Sequence, residues 1–595
     1  MTAFLFFISF ACAVYGLSGT VPAYRDSGDL IASIHTLGIA HPPGYAFYVL
    51  LGKLFVTLLP FGNIAYRVNV MSAFFAAAAS AALYRLLLRE SGSDRIGSMA
   101  VAFLFGFSPA VIALGRAAEM YTLSAFLAVL IVYFLFSDHP NGVSWAALLL
   151  GLGLSVHPTL IFLAPLFFGR VLLNKGTSEE ESKCRMFGLL LPCSLAPLLY
   201  FLLGLSVFLY LPFRAAQHPL LNWGDPSHWR NFWRVVTRAD YGGLKLHPEE
   251  SVLQWTPVSV ASELKYFLVA LKGEWGWLAV FLGIAGIMGS LRDPGKRSWA
   301  CGLLASWMLA GPGFFILSNL PLGESTTPAI LQPYLLVVGV LWAPFVVQGF
   351  EMMRTLVIRS RTVAVMAALL LVAARPWGWT SERNDFYAYD YACNLLRSLP
   401  RGAVLYDPDD TTLFCIRVLQ TVENRRPDLV LLSFFRTRWG YEEIRRRWPD
   451  LLPPIPIDNG QDLQRLLWSY SARKFPFYTE LPQKFGQVPY ESQGLVYAAL
   501  LTPSPDGGRA SRARAEELLE MTVKRGDFVT TDHPDFFTRH IVSYYAAAEN
   551  NLGADYANAG HWAAAARHYR AALQIEPDQS AAHFNLGVAL SRLPQ

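Results

Sequence analysis

From its second residue to about residue 374 the chain is a succession of apolar runs: 2–17, 68–88, 96–114, 122–136, 144–156, 159–173, 187–211, 275–291, 299–317, 331–349 and 362–374. A hydrocarbon core is crossed by about 20 apolar helical residues, with shorter spans tolerated where helices are broken inside a bundle. No soluble core absorbs so many such runs. Charge is correspondingly scarce, at 16% against 53% hydrophobic residues, where soluble domains carry about a quarter. The 16 Trp and 40 Phe suit lipid-facing helices with interfacial anchors. Net charge is +5 with Lys and Arg dispersed among apolar runs, so no basic stripe for nucleic acid exists. The expected fold is mainly α, a polytopic membrane protein of about eleven helices.

Orientation follows from the basic residues between runs. Arg85, Arg89 and Arg95 form one group, Arg170, Lys175, Lys183 and Arg185 a second, Arg292, Lys296 and Arg297 a third, and Arg354, Arg359 and Arg361 a fourth. If the eleven runs alternate, all four groups share one side, which the positive-inside rule makes the cytoplasm. The outer side then receives 18–67, 115–121, 213–274, 318–330 and everything beyond Arg375. The first run has the length of a signal peptide but no basic leader, and reads as a retained helix. The stretch 41–60 reads as a helix lying in the outer interface, because counting it as a span would invert Arg85 and Arg89. Residues 144–173 break at His157-Pro158, where a polar residue beside proline lines a cavity.

Composition turns soluble after Arg375. Residues 403–405 and 429–435 read as buried strands and 389–398 and 413–422 as helices, predicting a small α/β domain. A Cys393–Cys415 bridge is open to a domain outside the cytoplasm. Leu552, Gly553, Tyr556, Ala565, Tyr569, Ala572 and Pro577 match tetratricopeptide spacing, and Leu586-Gly587 repeats Leu552-Gly553. One such repeat cannot bury its own face. The expected division is a transmembrane domain over 1–376, with outer loops 20–67 and 213–274, an α/β domain over 377–540 and a repeat segment over 541–595.

The segment that could carry chemistry is the first outer loop, Asp26-Ser27-Gly28-Asp29 followed by His41-Pro42-Pro43-Gly44. It reads in two ways: Asp26 and Ser27 as a helix cap with Pro-Pro-Gly as a turn, or a carboxylate at the membrane surface serving as general base toward a hydroxyl, with His41 nearby. The next outer loop, Gly115-Arg116-Ala117-Ala118-Glu119, sets an acid and a base beside hydrocarbon, where each is costly unless paired or used. His157 adds a polar group on the same side. No Cys/His cluster has metal spacing, so the expected chemistry is metal-independent.

The blocks DSGD, LGIAHPPGYAFYVLLGKLF and FGNIAYRVNVMSA, then AEMYTL, GLGLSVHPT and LNWGDP, resemble the GT-C superfamily of polyprenyl-phosphate-sugar-dependent glycosyltransferases. They are similar in particular to the transmembrane protein O-mannosyltransferases of the plexin-receptor type, over about residues 1–432. The resemblance implies inverting transfer of a hexose, such as mannose, from a lipid-phosphate donor to a protein Ser/Thr or glycan hydroxyl on the outer face, with no cofactor beyond that donor. It makes Asp26 the general base and Glu119 the second acidic position. Asp29 stands where many relatives carry glutamate. Donor or acceptor contacts fall to His41, Arg116, His157, Arg214, Trp223, Asp225, Arg238 and Tyr241, with Arg116, Arg214 and Arg238 the candidate cations for the departing phosphate.

The plain roles of these residues are ion pairing for Arg116, interfacial anchoring for Arg214, and membrane contact for the Trp/Arg-rich 229–241. The expected location is a multi-pass, bacterial inner-membrane setting with the C-terminal domain outside the cytoplasm. Expected partners are membrane lipid, the lipid-linked donor, the acceptor and a protein bound by the repeat segment. Two other classes fit parts of the sequence. A flippase for lipid-linked sugars would use the broken helix as its site, and a non-catalytic anchor would present the repeats.

Overall fold

Among the described residues the apolar runs fold as helices. In a computed structural model, five helices there are long and apolar enough to cross a membrane: Ile64–Glu90, Leu195–Ala215, Pro257–Arg292, Pro294–Ser318 and Thr326–Thr355. Shorter apolar helices occupy Thr2–Tyr15, Ala46–Leu58, Arg95–Gly106, Tyr121–Phe136, Gly142–Leu154, Pro158–Val171 and Thr362–Ala373. The chain is a multi-pass membrane protein. The structure describes residues 1–24, 26–92, 94–174, 195–241, 255–356, 360–373, 382–453, 467–486, 488–502, 504–533 and 535–593. Lys175, Lys183, Cys184, Arg185, Cys193 and Arg359, with the start of the run at 187, lie outside the described residues.

The described chain divides into two units, one made of Met1–Leu17 and Leu37–Arg383, the other of Ser18–Thr36 and Asn384–Gln595. In the first, Ile64–Glu90 packs against Thr2–Tyr15 and Tyr121–Phe136, and Pro257–Arg292 packs along Leu335–Leu356. That last pair touches backbone to backbone. A Cβ on Gly286 would lie 1.9 Å from the Phe345 carbonyl oxygen, and one on Gly349 would lie 1.9 Å from that of Leu282, so only glycine permits the approach.

Two boundaries differ from the sequence reading, and one expected break is found. The helix expected to begin at Trp275 begins at Pro257, because Thr256 and Ser259 form a reciprocal cap ahead of a first-turn proline. Its helical geometry breaks at Gly276, with φ 74. The run 96–114 is two helices, since Ser108 caps a second start at Pro109. The break at His157-Pro158 is present, and a 3-10 turn, Pro158–Leu163, follows it.

The second unit contains a five-stranded sheet of β1 (Val404–Tyr406), β2 (Val430–Leu432), β3 (Phe477–Thr479), β4 (Tyr490–Gln493) and β5 (Val496–Ala499), in the order β2-β1-β3-β5-β4. β1 runs parallel to both β2 and β3, and β5 antiparallel to β3 and β4. Val404, Tyr406, Val430, Leu432, Phe477 and Tyr497 form its core with Ile444 and Leu467. Helices Tyr387–Ser398 and Asp410–Thr421 match the two expected. Cys393 and Cys415 are both free thiols, so the open bridge between them is not formed.

The tail is three helices, Phe536–Asn558, Trp562–Ile575 and Ser580–Ser591. Leu552, Ala565, Tyr569 and Ala572 are buried among them. The first two also bond the preceding part of the unit: Asn551 donates to the Tyr497 hydroxyl at 2.6 Å and Tyr556 to Glu516 at 2.6 Å from the first, and Arg567 donates to Glu516 at 3.1 Å from the second.

Candidate active site

In the second unit, the acidic end of the 18–67 loop is a helix start. Asp26 immediately precedes the helix Ser27–Thr36, and its carbonyl accepts the Leu30 N–H at 3.1 Å. The carboxyl side chain of Asp26 is half-buried. Asp29, in the first turn of that helix, has no solvent exposure.

In the first unit, the HPPG segment is held from the side of the second large loop. Ile39 donates to the Leu221 carbonyl at 2.8 Å and accepts from the Trp223 N–H at 3.3 Å, forming a parallel bridge to Asn222. His41 consequently faces Trp223, ring centres 6.0 Å apart, and Tyr45 at 4.9 Å. The Trp223-Gly224-Asp225 stretch is a tight turn. Gly224 has φ 73 and Asp225 φ 41, and Asn222 donates to the Asp225 carboxylate at 3.0 Å.

The polar residue at the broken helix meets this segment. His157 Nδ1 lies 2.7 Å from the Thr159 hydroxyl and accepts the Thr159 N–H at 3.3 Å, capping the 3-10 turn. Its ring packs on Tyr121 at 5.0 Å and Tyr334 at 5.8 Å. Burial in this turn lowers the His157 pKa to about 3, with Arg238 and His41 adding to the effect. The imidazole is neutral at physiological pH.

Arg238 closes the cluster. Its guanidinium carbon lies 5.8 Å from the Tyr241 ring centre, and its backbone is left-handed at φ 55, a costly conformation for a branched-free but non-glycine residue. Burial apart, the groups acting on it most strongly among the described residues are the phenols of Tyr334, Tyr45, Tyr121 and Tyr241. Its Nε is buried without a hydrogen-bond partner among the described residues. The neighbouring Asp240 is engaged by Arg234 at 2.6 Å.

The other two candidate cations have different surroundings. Arg116 is 1% exposed and lies against the end of the first helix, so that a Cβ on Gly16 would sit 2.6 Å from its guanidinium carbon. Glu382 is the carboxylate that faces it. Arg214 donates from Nε to the Leu37 carbonyl at 2.6 Å and from a terminal nitrogen to Gln217 at 2.6 Å. Tyr210 donates to the same Leu37 carbonyl at 2.7 Å. These two residues clamp the turn that leads into HPPG.

Glu119 is fully buried. Its N–H donates to Ser72 Oγ at 3.3 Å, while the Ser72 hydroxyl lies 3.2 Å from its carbonyl. Tyr48 faces both residues. Thus His41, His157, Trp223, Arg238 and Tyr241 come together in one unit, Glu119 adjoins them through Tyr121, and Arg116 and Arg214 serve neighbouring contacts. Sequence reasoning missed Tyr45, Tyr48, Ser72, Tyr121 and Tyr334. The first and fourth directly follow HPPG and AEM, which was a usable signal, whereas Tyr334 carries none. Among the described residues, no group of three His, Cys, Asp or Glu side chains is arranged to hold a metal ion.

The fold is that of a multi-pass helical membrane protein in which the Arg238 cation lies among phenols and imidazoles. Residues 26–181 match the family of the protein O-mannosyl-transferase TMEM260 N-terminal domain, the family that the motifs resemble. The mouse protein O-mannosyl-transferase TMEM260 is 28% identical over 71% of this chain and 61% of its own length. Its Dictyostelium discoideum counterpart is 22% identical over 70% of this chain and 55% of its own length. The chain therefore spans about three fifths of the length of these relatives. Two structures of the Archaeoglobus fulgidus oligosaccharyltransferase align with TM-scores of 0.40 and 0.43, at 16% and 13% identity, over 72% and 80% of this chain and 62% and 69% of theirs.

Proposed function

We propose that the chain is a membrane glycosyltransferase that moves a hexose, mannose foremost, from a polyprenyl-phosphate donor to a protein or glycan hydroxyl on the extracytoplasmic face. The acceptor oxygen attacks the anomeric carbon opposite the phosphate, and Asp26 takes its proton. The bond from the anomeric carbon to the phosphate oxygen breaks, the configuration inverts, and polyprenyl phosphate leaves with the added negative charge. Glu119 orients the acceptor, while Trp223 and Asp225 contact the sugar.

The observation that carries this reading is the setting of Arg238. A half-buried cation whose Nε is buried without a partner among the described residues, set among the phenols of Tyr334, Tyr45, Tyr121 and Tyr241, stabilises charge developing on a phosphate oxygen. The names of the mouse and Dictyostelium relatives support mannose and a protein hydroxyl. In this reading eleven helices span a membrane of the bacterial inner type, the four basic groups face the cytoplasm, the C-terminal unit lies outside, and its last helices are a tetratricopeptide segment that binds a protein partner.

Purified protein supplied with radiolabelled polyprenyl-phosphate mannose and a Ser/Thr peptide tests the reaction. Transfer is expected, and is expected to vanish in Asp26→Asn while folding and insertion persist. Full activity in that variant would sink the base assignment, and transport of donor without transfer would favour the flippase class. Cysteines placed at 26 and 89, labelled from each side, test the orientation.

A further inference from the structure

The first-loop helix Ser27–Thr36 does not fold with the loops that flank it in sequence. It belongs to the second unit and packs on the helix Asp410–Thr421. The packing is closest at Gly28, where a Cβ would sit 2.7 Å from the backbone carbonyl of Phe414. Any larger residue must push the two helices apart.

One residue further on, Asp29 is buried completely. A carboxylate taken out of water costs several kcal/mol unless a cation or hydrogen bonds compensate it. Arg417, on the same Asp410–Thr421 helix, supplies the charge: Asp29 is the strongest of its electrostatic partners, with Asp410 also attractive and Arg447 opposed. Arg417 is itself fixed, donating to the Ser433 hydroxyl at 3.3 Å just beyond β2. The segment entering the helix is tied down as well. The Asp385 carboxyl accepts the Ala23 N–H, and Tyr24 packs on Phe537 with ring centres 4.8 Å apart.

We infer that Arg417 is a positioning residue for Asp26, acting through Asp29 and the Gly28 contact so that the C-terminal unit fixes the orientation of the first-loop carboxylate. The inference rests on the reading of Asp26 as general base. It moves Asp29 from chemistry to support: Gly28 and Asp29 bind the helix to its platform, and Asp26 sits half-buried at the start of that helix. A displacement of about 1 Å at a reacting group costs on the order of 100-fold in rate, which is why a distant arginine matters.

The test uses the full-length protein with Arg417→Gln, Arg417→Lys, Gly28→Ala and, as a control, Arg438→Gln, whose partner is the exposed Glu442. Transfer kinetics from polyprenyl-phosphate mannose are read together with amide hydrogen exchange. Arg417→Gln and Gly28→Ala are expected to lower kcat about ten-fold or more with donor KM nearly unchanged, and to speed exchange over 27–36 while β1 and β2 stay protected. Arg417→Lys recovers part of both, and adding Asp29→Asn to Arg417→Gln costs nothing further. Unchanged exchange over 27–36 in Arg417→Gln overturns the inference, as does loss of protection throughout the C-terminal unit. Wild-type protein without transfer activity would refute the function reading alone, because the exchange measurement still decides whether Arg417 holds the helix.

Discussion

Arg238 and Tyr241 form a cation–π pair within the 213–274 loop, the guanidinium carbon 5.8 Å from the ring centre, on an arginine backbone turned to φ 55. The left-handed turn is held by the Tyr241 N–H donating to the Arg238 carbonyl at 2.9 Å. A strained residue with an unengaged buried donor is the arrangement expected where the donor is needed for a ligand.

Replacing that cation isolates its contribution. Arg238→Gln is expected to reduce kcat for mannose transfer by about 10²–10³, and Arg238→Lys by less, because lysine keeps the charge but loses the planar fork. Steady-state kinetics over a range of donor concentrations would reveal this, and wild-type kcat in Arg238→Gln would remove the residue from the phosphate site.

Arg214 should behave differently. Its guanidinium serves the Leu37 carbonyl and Gln217, so Arg214→Gln leaves a carbonyl that still accepts from Tyr210. The expected result is a stability loss of about 1–3 kcal/mol, seen as a lower thermal midpoint in detergent, with a far smaller fall in kcat than Arg238→Gln gives. Equal effects of the two substitutions on kcat would contradict this division of roles.

The legible and illegible parts of this site separate by physical cause. The HPPG segment, the His157 break and the Trp-Gly-Asp turn could be read because proline, glycine and isolated polar residues in apolar runs leave local signatures. The grouping of Arg238 with Tyr334 could not, since Tyr334 lies in an ordinary apolar stretch and only tertiary packing brings it to His157 at 5.8 Å. The facing of Asp29 and Arg417 was illegible for the same reason, since the two lie almost four hundred residues apart in sequence. The start of the helix at Pro257 was missed although Thr256-Pro257 and Ser259 spell a cap, because hydropathy outweighed capping in a membrane chain.

His157 constrains the pH profile. Burial, then Arg238 and His41, hold its pKa at about 3, so it remains neutral across the working range and cannot supply a titration near pH 6. His157→Asn is expected to lower activity by disturbing the Tyr121–Tyr334 packing, with the acidic limb of kcat/KM unmoved. An acidic limb that disappears in this variant would show the histidine to be the titrating group.

Glu480 gives the second unit a pH dependence of the opposite kind from the usual carboxylate. It accepts from the Tyr391 hydroxyl at 3.1 Å, the Thr412 hydroxyl at 2.6 Å and the Asp409 N–H. Burial nevertheless dominates, with the Asp409 charge adding to it, and its pKa is pushed up to about 7 from 4.5. Between those two values the folded protein holds a proton that the unfolded chain has released, so folding is favoured at low pH and that advantage is lost as pH rises toward 7. A shift of this size corresponds to roughly 3 kcal/mol as an upper figure. Asp385, raised to about 7 chiefly by burial, acts in the same direction. The thermal midpoint of the second unit is therefore expected to fall between about pH 4.5 and 7. Glu480→Gln, neutral throughout, should flatten that fall even though it sacrifices an acceptor and starts from a lower midpoint. Midpoints measured at half-unit intervals in both proteins decide the matter, and parallel curves would show that Glu480 is charged in the fold.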